Sequence, residues 1–351
     1  MDGSMQQTKR DPFKVLILIF LSFILLSCAA VSRLPDLIVS PTPTFTASPT
    51  STITLTPTPT ATPTATEIPT VCGGPRTMFI LLIGSDARSN TYNVGLADAI
   101  RLVRVDFVEP GLQALTFPRD LYVEIPGIEV RSGITHGKLN QAFLYGNPGY
   151  AYFDDARLGP GLLADTLTLN FDAHSEHYIS VNLQTFTKTV DSLGGIDIDL
   201  PEVVDGRVRG SRDNRLYFPA GEQHLGGYRT MLLARMRPNG DLERSEIQNL
   251  ILEALTSQLL SPDVITKLPE LAETFKESVQ TDMGAVEIGQ LACLATMIDA
   301  QDVEFMNFPS DLFESGRVQD PVLGSTSILE ADFDVLRNLV QEFNDGAWKT
   351  P

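Results

Sequence analysis

Residues 41–70 set the plan of this chain. Thirteen of these thirty residues are Thr, seven are Pro, and Glu67 is the sole charged one. Such a stretch cannot bury enough apolar surface to offset the entropy lost on ordering. Proline biases it toward extended polyproline geometry, so thirty residues reach up to roughly 90 Å at about 3.1 Å each. The chain therefore reads as three parts. Residues 1–30 precede the spacer, 31–72 contain it, and 73–351 turn globular in composition.

The first part reads as an export signal. Lys9, Arg10 and Lys14 form a positive leader, and Val15–Ser27 is an uncharged apolar run of 13 residues. A membrane-spanning helix needs about 20 apolar residues, and extending the run to Val31 gives only 17. Leu25-Leu26-Ser27-Cys28 resembles a bacterial lipobox, which makes Cys28 the candidate lipidation site. An uncleaved signal anchor is the alternative. Either form tethers the remainder outside the membrane.

The 351 residues carry a net charge of −18 and no run of Lys or Arg, which argues against a nucleic-acid partner. Cys28, Cys72 and Cys293 form no C-x-x-C, and His174 with His177 is too sparse for a metal site, so zinc is not expected. Cys72 and Cys293 are the two thiols of the exported part, and an oxidising compartment suits a disulfide between them.

Met78–Ile83, Ile100–Phe107 and Leu112–Phe117 read as strands, the last two separated by the turn signal Pro110-Gly111. Gly159–Asn170 reads as a helix and His177–Val181 as a strand. Leu183, Phe186, Val190 and Leu193 form a helical stripe stopped by Gly194-Gly195, and Ile196–Leu200 is again a strand. Gly226–Arg235 and Asp241–Leu260 read as helices, with Asp241 at the cap position. Strands alternating with helices argue for an α/β layered domain.

Charge gathers where these elements end. The first strand runs into Gly84-Ser85-Asp86-Ala87-Arg88, and the third into Pro118-Arg119-Asp120. Arg235 and Arg237 close one helix, while Arg244 and Gln248 share a face of the next. Sheets of this kind place ligands at strand carboxyl ends. Guanidinium forks match phosphate oxygens, and aspartates hold Mg²⁺ that bridges phosphates. No Ser-His or Cys-His nucleophile set accompanies them, so the pattern points to phosphoryl transfer by positioning and charge neutralisation.

Taken in order, these motifs resemble the LytR-CpsA-Psr family. The match runs through Gly84-x-Asp86-x-Arg88, Leu96-Ala97-Asp98-Ala99, Pro118-Arg119-Asp120 and His136-Gly137-Lys138-Leu139-Asn140. It continues through Gly194–Asp199, Gly221-x-Gln223-x-Leu225-x-Gly227, Arg235-x-Arg237 and Asp241-Leu242-x-Arg244-x-x-x-Gln248, covering residues 73–260 most closely. The resemblance implies a mixed central β-sheet sandwiched between helices, with a groove for a polyprenyl tail. It implies transfer of a phosphorylated glycopolymer from polyprenyl pyrophosphate to peptidoglycan with Mg²⁺, at the outer face of the cell membrane. By position, Asp86 and Asp98 would hold the metal. Arg88, Arg119, Arg235, Arg237, Arg244 and Gln248 would hold the pyrophosphate, and Asp120 would orient Arg119.

Two departures stand out. The family usually shows Arg-x-Asp-Thr at Leu96–Ala99 and Arg-Gln-Gln at Ile247-Gln248-Asn249, so two positive charges are missing. Arg101 lies nearby, but strict strand alternation sets residues 98 and 101 on opposite faces. A non-catalytic lipid-pyrophosphate or wall-glycan binding lipoprotein remains an alternative, as does a pyrophosphatase that uses water as acceptor.

Overall fold

The structure, a computed structural model, describes residues 68–207, 213–237, 241–261, 264, 278–320 and 324–348, without the side chains of 241–243. The export signal, Cys28, most of the Pro/Thr spacer and the Asp241 cap lie outside the described residues and side chains. No helix among the described residues is long and apolar enough to cross a membrane.

The chain opens with strands β1 (Thr77–Ser85), β2 (Ala97–Asp106) and β3 (Gly111–Thr116), then short strands β4 (Tyr122–Glu124) and β5 (His136–Lys138). Helices α1 (Leu139–Gly146) and α2 (Leu158–Phe171) precede β6 (His177–Asn182), α3 (Leu183–Ser192) and β7 (Ile196–Leu200). After β8 (Val204–Asp205) and β9 (Tyr217–Phe218) come β10 (Gly221–Leu225), α4 (Gly227–Ala234) and α5 (Asp241–Leu259). The chain closes with β11 (Val279–Thr281), α6 (Ala285–Leu294), β12 (Val303–Asn307), β13 (Glu314–Asp320), β14 (Gly324–Glu330) and α7 (Phe333–Asn344).

Six strands form the central sheet in the order β11-β6-β1-β2-β3-β12. It is mixed: β1 runs antiparallel to β2 but parallel to β6, and β3 runs parallel to β12. The two faces of β1 and β2 both carry apolar side chains because both are covered, as a central strand requires. Leu81, Ile83, Ile100, Leu102, Leu115 and Phe117 enter one core with residues of α1, α2 and α7. Met78, Ile80, Val105 and Phe107 enter another with Leu294 of α6. The sheet is thus flanked by helices.

A further core lies under the hairpin of β7 and β10. Ile196, Ile198 and Leu200 point inward there, with Asp197 and Asp199 outward. Helix α5 adds Ile247 and Ile251 to it. Helices α3 and α4 meet closely at Gly227, where an added Cβ would lie 2.0 Å from the Thr187 carbonyl oxygen. A side chain has no room there, which accounts for glycine at that position.

Helix α1 has no sequence signature because all eight of its residues are buried. With no polar face there is no amphipathic period to read. Asn182 caps α3 by accepting the Thr185 N–H at 2.8 Å. A disulfide joins Cys72, just before β1, to Cys293 of α6, across 221 residues of chain.

Candidate active site

The site forms where β1 and β3 end and β2 begins. Gly84 pairs with Ala99 but Ser85 pairs with Ala97, so Asp98 is the extra residue of a β-bulge. A bulge interrupts side-chain alternation and re-aims the neighbouring side chains. Asp98 here accepts a hydrogen bond from Arg119 Nη1, with 11% of the arginine and 23% of the aspartate side chain exposed. Asp86 lies just past the same register break. Its Oδ1 accepts the Leu96 N–H at 2.6 Å, and its own N–H donates to the Leu96 carbonyl at 3.1 Å.

The loop bearing Arg119 is fixed by its backbone. Asn140 N–H donates to the Arg119 carbonyl at 3.0 Å, and Leu329 N–H to the Asp120 carbonyl at 2.8 Å. Asp120 is buried and meets two cations. Its Oδ2 lies 3.3 Å from Arg119 Nε, and its Oδ1 accepts from Lys138 Nζ at 2.8 Å. Lys138 ends β5 and is the N-cap residue of α1, and its backbone N–H donates to Gln141 Oε1 at 2.6 Å. The backbone of Lys138 is thereby satisfied locally while its ammonium reaches the site. Asp120 does touch Arg119 as expected, but it also holds Lys138, to which the sequence motifs assign no role.

Helix α5 crosses the other side. Arg244 is 4% exposed, and its Nη2 reaches the Asp98 carbonyl at 3.4 Å. Gln248, one turn on, donates to the Ala234 carbonyl at 3.2 Å, at the end of α4. The shared helix face expected from their spacing therefore spans from β2 to the segment that carries Arg235. Arg235 lines a cleft of about 210 Å³ with Asp86, Ala87, Arg88, Leu183 and Gln184. Gln184 Nε2 donates to the Arg88 carbonyl at 3.3 Å. Arg237 is exposed two residues further along.

Arg101 lies further along β2, opposite Leu82 of β1. Its side chain lies under α5 next to Arg244, which also contacts the Asp98 backbone. Arg101 is 2% exposed and donates from Nη2 to Asn249 Oδ1 at 2.7 Å. Burial, and next the positive charge of Arg244, lower its pKa to about 10, so it stays charged at neutral pH.

Among the described side chains, six cations, Arg88, Arg101, Arg119, Lys138, Arg235 and Arg244, therefore stand around three carboxylates, Asp86, Asp98 and Asp120. This excess of positive charge occurs in a chain of net charge −18. An anion with several oxygens is the ligand such a set suits. A larger cavity of about 450 Å³ lies elsewhere, between Gly146 and Leu158. Asp154 and Asp155 line it and no Arg or Lys does, so it is the wrong place for an anion. Two carboxylates at adjoining strand ends also match how Mg²⁺ is held beside substrate phosphates. No group of three or more His, Cys, Asp or Glu able to hold a metal occurs among the described residues. The donor set thus fits a Mg²⁺ that shares phosphate and water ligands, and does not fit a closed protein cage.

A mixed sheet between helices, with arginines and aspartates at its strand ends, defines an anion-binding α/β protein. The chain belongs to the LytR_cpsA_psr family, whose model matches residues 64–338. It is 28% identical over 211 residues to the polyisoprenyl-teichoic acid--peptidoglycan teichoic acid transferase TagV of Bacillus subtilis (strain 168), covering 59% of this chain and 50% of that protein. It is 26% identical over 234 residues to the regulatory protein MsrR of Staphylococcus aureus (strain COL), covering 66% of this chain and 64% of that one. The matched stretch thus spans about half to two thirds of these relatives. The crystal structure of B. subtilis TagV shares the fold with a TM-score of 0.58 at 24% identity, covering 79% of this chain and 99% of that one. A structure of TagT bound to LIIa-WTA does so at 0.54 and 18% identity, covering 77% and 90%.

Proposed function

We propose that this protein transfers a phosphorylated glycopolymer from a polyprenyl pyrophosphate carrier to peptidoglycan, outside the membrane to which its N-terminal region tethers it. The observation that carries this reading is the positive cluster around Asp98 and Arg119 in an otherwise acidic chain. Family membership supports it, as does the name of the TagV relative, a teichoic acid transferase acting on peptidoglycan.

In this reading Arg119, Lys138 and Arg244 hold the diphosphate at the strand ends, with Arg88 and Arg235 on the cleft side. Arg237 and Gln248 extend the same rim. Asp86 and Asp98 would hold a Mg²⁺, and such an ion would supply neutralisation of the diphosphate charge. A sugar hydroxyl of the acceptor attacks the phosphorus attached to the glycopolymer. The new O–P bond forms as the bond to the carrier phosphate breaks, and polyprenyl phosphate leaves. The hydroxyl proton passes to a carboxylate of the site. Arg119, fixed by Asp98 and Asp120, needs little reorganisation to meet the charge that develops.

Release of polyprenyl phosphate, measured with and without peptidoglycan fragments, tests the reading. Release that depends on the acceptor supports transfer. Release at the same rate without it means hydrolysis, and no release at all with tight lipid binding means a binding protein.

A further inference from the structure

We infer that Arg101 is a buried charge held in reserve for the substrate's diphosphate, supplying from β2 the positive charge that Leu96 does not. The inference rests on the diphosphate reading of the site and assigns it one more residue.

A guanidinium removed from water is expected to face a carboxylate. Arg101 does not. It is 2% exposed, its hydrogen bond goes to the neutral amide of Asn249, and its Nε has no partner among the described residues. The strongest charge acting on it is another cation, Arg244. Thr116, directly opposite Arg101 in the β2–β3 ladder, is 5% exposed and leaves Oγ1 without a partner there as well. Two adjacent strands thus present unmet donor capacity at one place, beneath the helix that carries Arg244 and Asn249.

A polar cluster left so within a folded chain is costly unless something else completes it. The missing element is negative charge. Arg244 links the cluster to the proposed diphosphate site, because its Nη2 reaches the carbonyl of Asp98. A diphosphate at Asp98, Arg119 and Arg244 would bring anionic oxygens to Arg244, the cation that acts on Arg101. The low dielectric around a buried charge strengthens that attraction. Arg101 then weakens the free protein and strengthens the occupied one. A purely structural arginine would do neither.

That opposition provides the test. The full chain, in detergent, is melted with and without inorganic pyrophosphate, as wild type and as Arg101→Met, Asn249→Asp and Arg119→Met. Arg101→Met removes the uncompensated charge, and Asn249→Asp gives it an internal counter-ion. Both are expected to raise the melting temperature of the free protein by about 2–4 °C. Both should weaken pyrophosphate about 10- to 100-fold. Should Arg101→Met fail to fold, Asn249→Asp carries the test alone. If either variant melts lower when free and keeps the full pyrophosphate response, Arg101 is structural and the inference is overturned. If wild type gains nothing from pyrophosphate, the diphosphate reading itself falls. If wild type responds and Arg119→Met does not, that reading stands whatever Arg101 does.

Discussion

Lys138 Nζ donates to Asp120 Oδ1 across 2.8 Å, with only 12% and 8% of the two side chains exposed. The pair ties the start of α1 to the loop after β3, and the same carboxylate meets Arg119. Asp120 therefore sets two cations at once. Asp120→Asn keeps the shape and removes the charge. Breaking a buried pair from one side costs roughly 3–5 kcal/mol, so the variant should lose about that much in denaturant melts. Transfer should fall by about 100-fold, because a small displacement of a positioning group is that costly.

The departure at Ile247 has a structural meaning. Ile247 is 5% exposed and packs into the core under β7 and β10. Restoring the family's arginine there would bury a charge among Ile196, Ile198 and Ile251. Ile247→Arg is expected to lower stability by about 3 kcal/mol or more and to leave diphosphate affinity unimproved. A stable variant with tighter binding would mean that position 247 faces the site.

The disulfide closes a long loop, from just before β1 to a helix 221 residues away. Cross-links of this length restrict the unfolded chain most, typically by about 2–5 kcal/mol. The Cys72→Ala, Cys293→Ala double variant should lose about that much unfolding free energy and melt at a lower temperature, and dithiothreitol should shift wild type but not the variant. Equal melting of wild type with and without reductant would refute the assignment.

Acid stability should depend on Asp106. Burial pushes its carboxyl up, but the N–H groups of Glu109 and Val108, and then Arg104, outweigh this and hold it below the usual carboxylate range. A group lowered in the folded state stabilises above its unfolded pKa of about 4, and that stability is lost as pH falls through the folded value. Asp106→Asn should therefore be less stable at pH 7 and lose less between pH 5 and 2. Parallel stability curves for the two proteins would contradict this.

The strands and helices that the sequence disclosed were those with one wet face or a stop signal. The alternation of β7 and the stripe of α3 are plain in residues such as Ile196, Asp197, Val190 and Gly194. Helix α1 escaped notice because burial on every side erases periodicity, and β12 to β14 lie in a tail whose sequence shows only amphipathic segments and loops. In the site, Asp86 and Arg119 were legible as charges placed at strand ends, and Asp98 through the resemblance of its motif to the family. The bulge at Asp98 was not, since it depends on which residues pair across two strands. Lys138 stood in a recognised motif, but its pairing was hidden: Asp120 lies 18 residues away, and the β4–β5 ladder brings the two together.

The most direct test of the central claim is the identity of the bond made. The full-length protein is incubated with a polyprenyl-pyrophosphate-linked saccharide, Mg²⁺ and peptidoglycan fragments. The acceptor is then analysed by mass spectrometry, with Arg119→Met in parallel. A phosphodiester-linked glycan on the acceptor, reduced about 100- to 1000-fold in the variant, is the predicted result. Free sugar phosphate in place of linked product, or equal product from the variant, would contradict it.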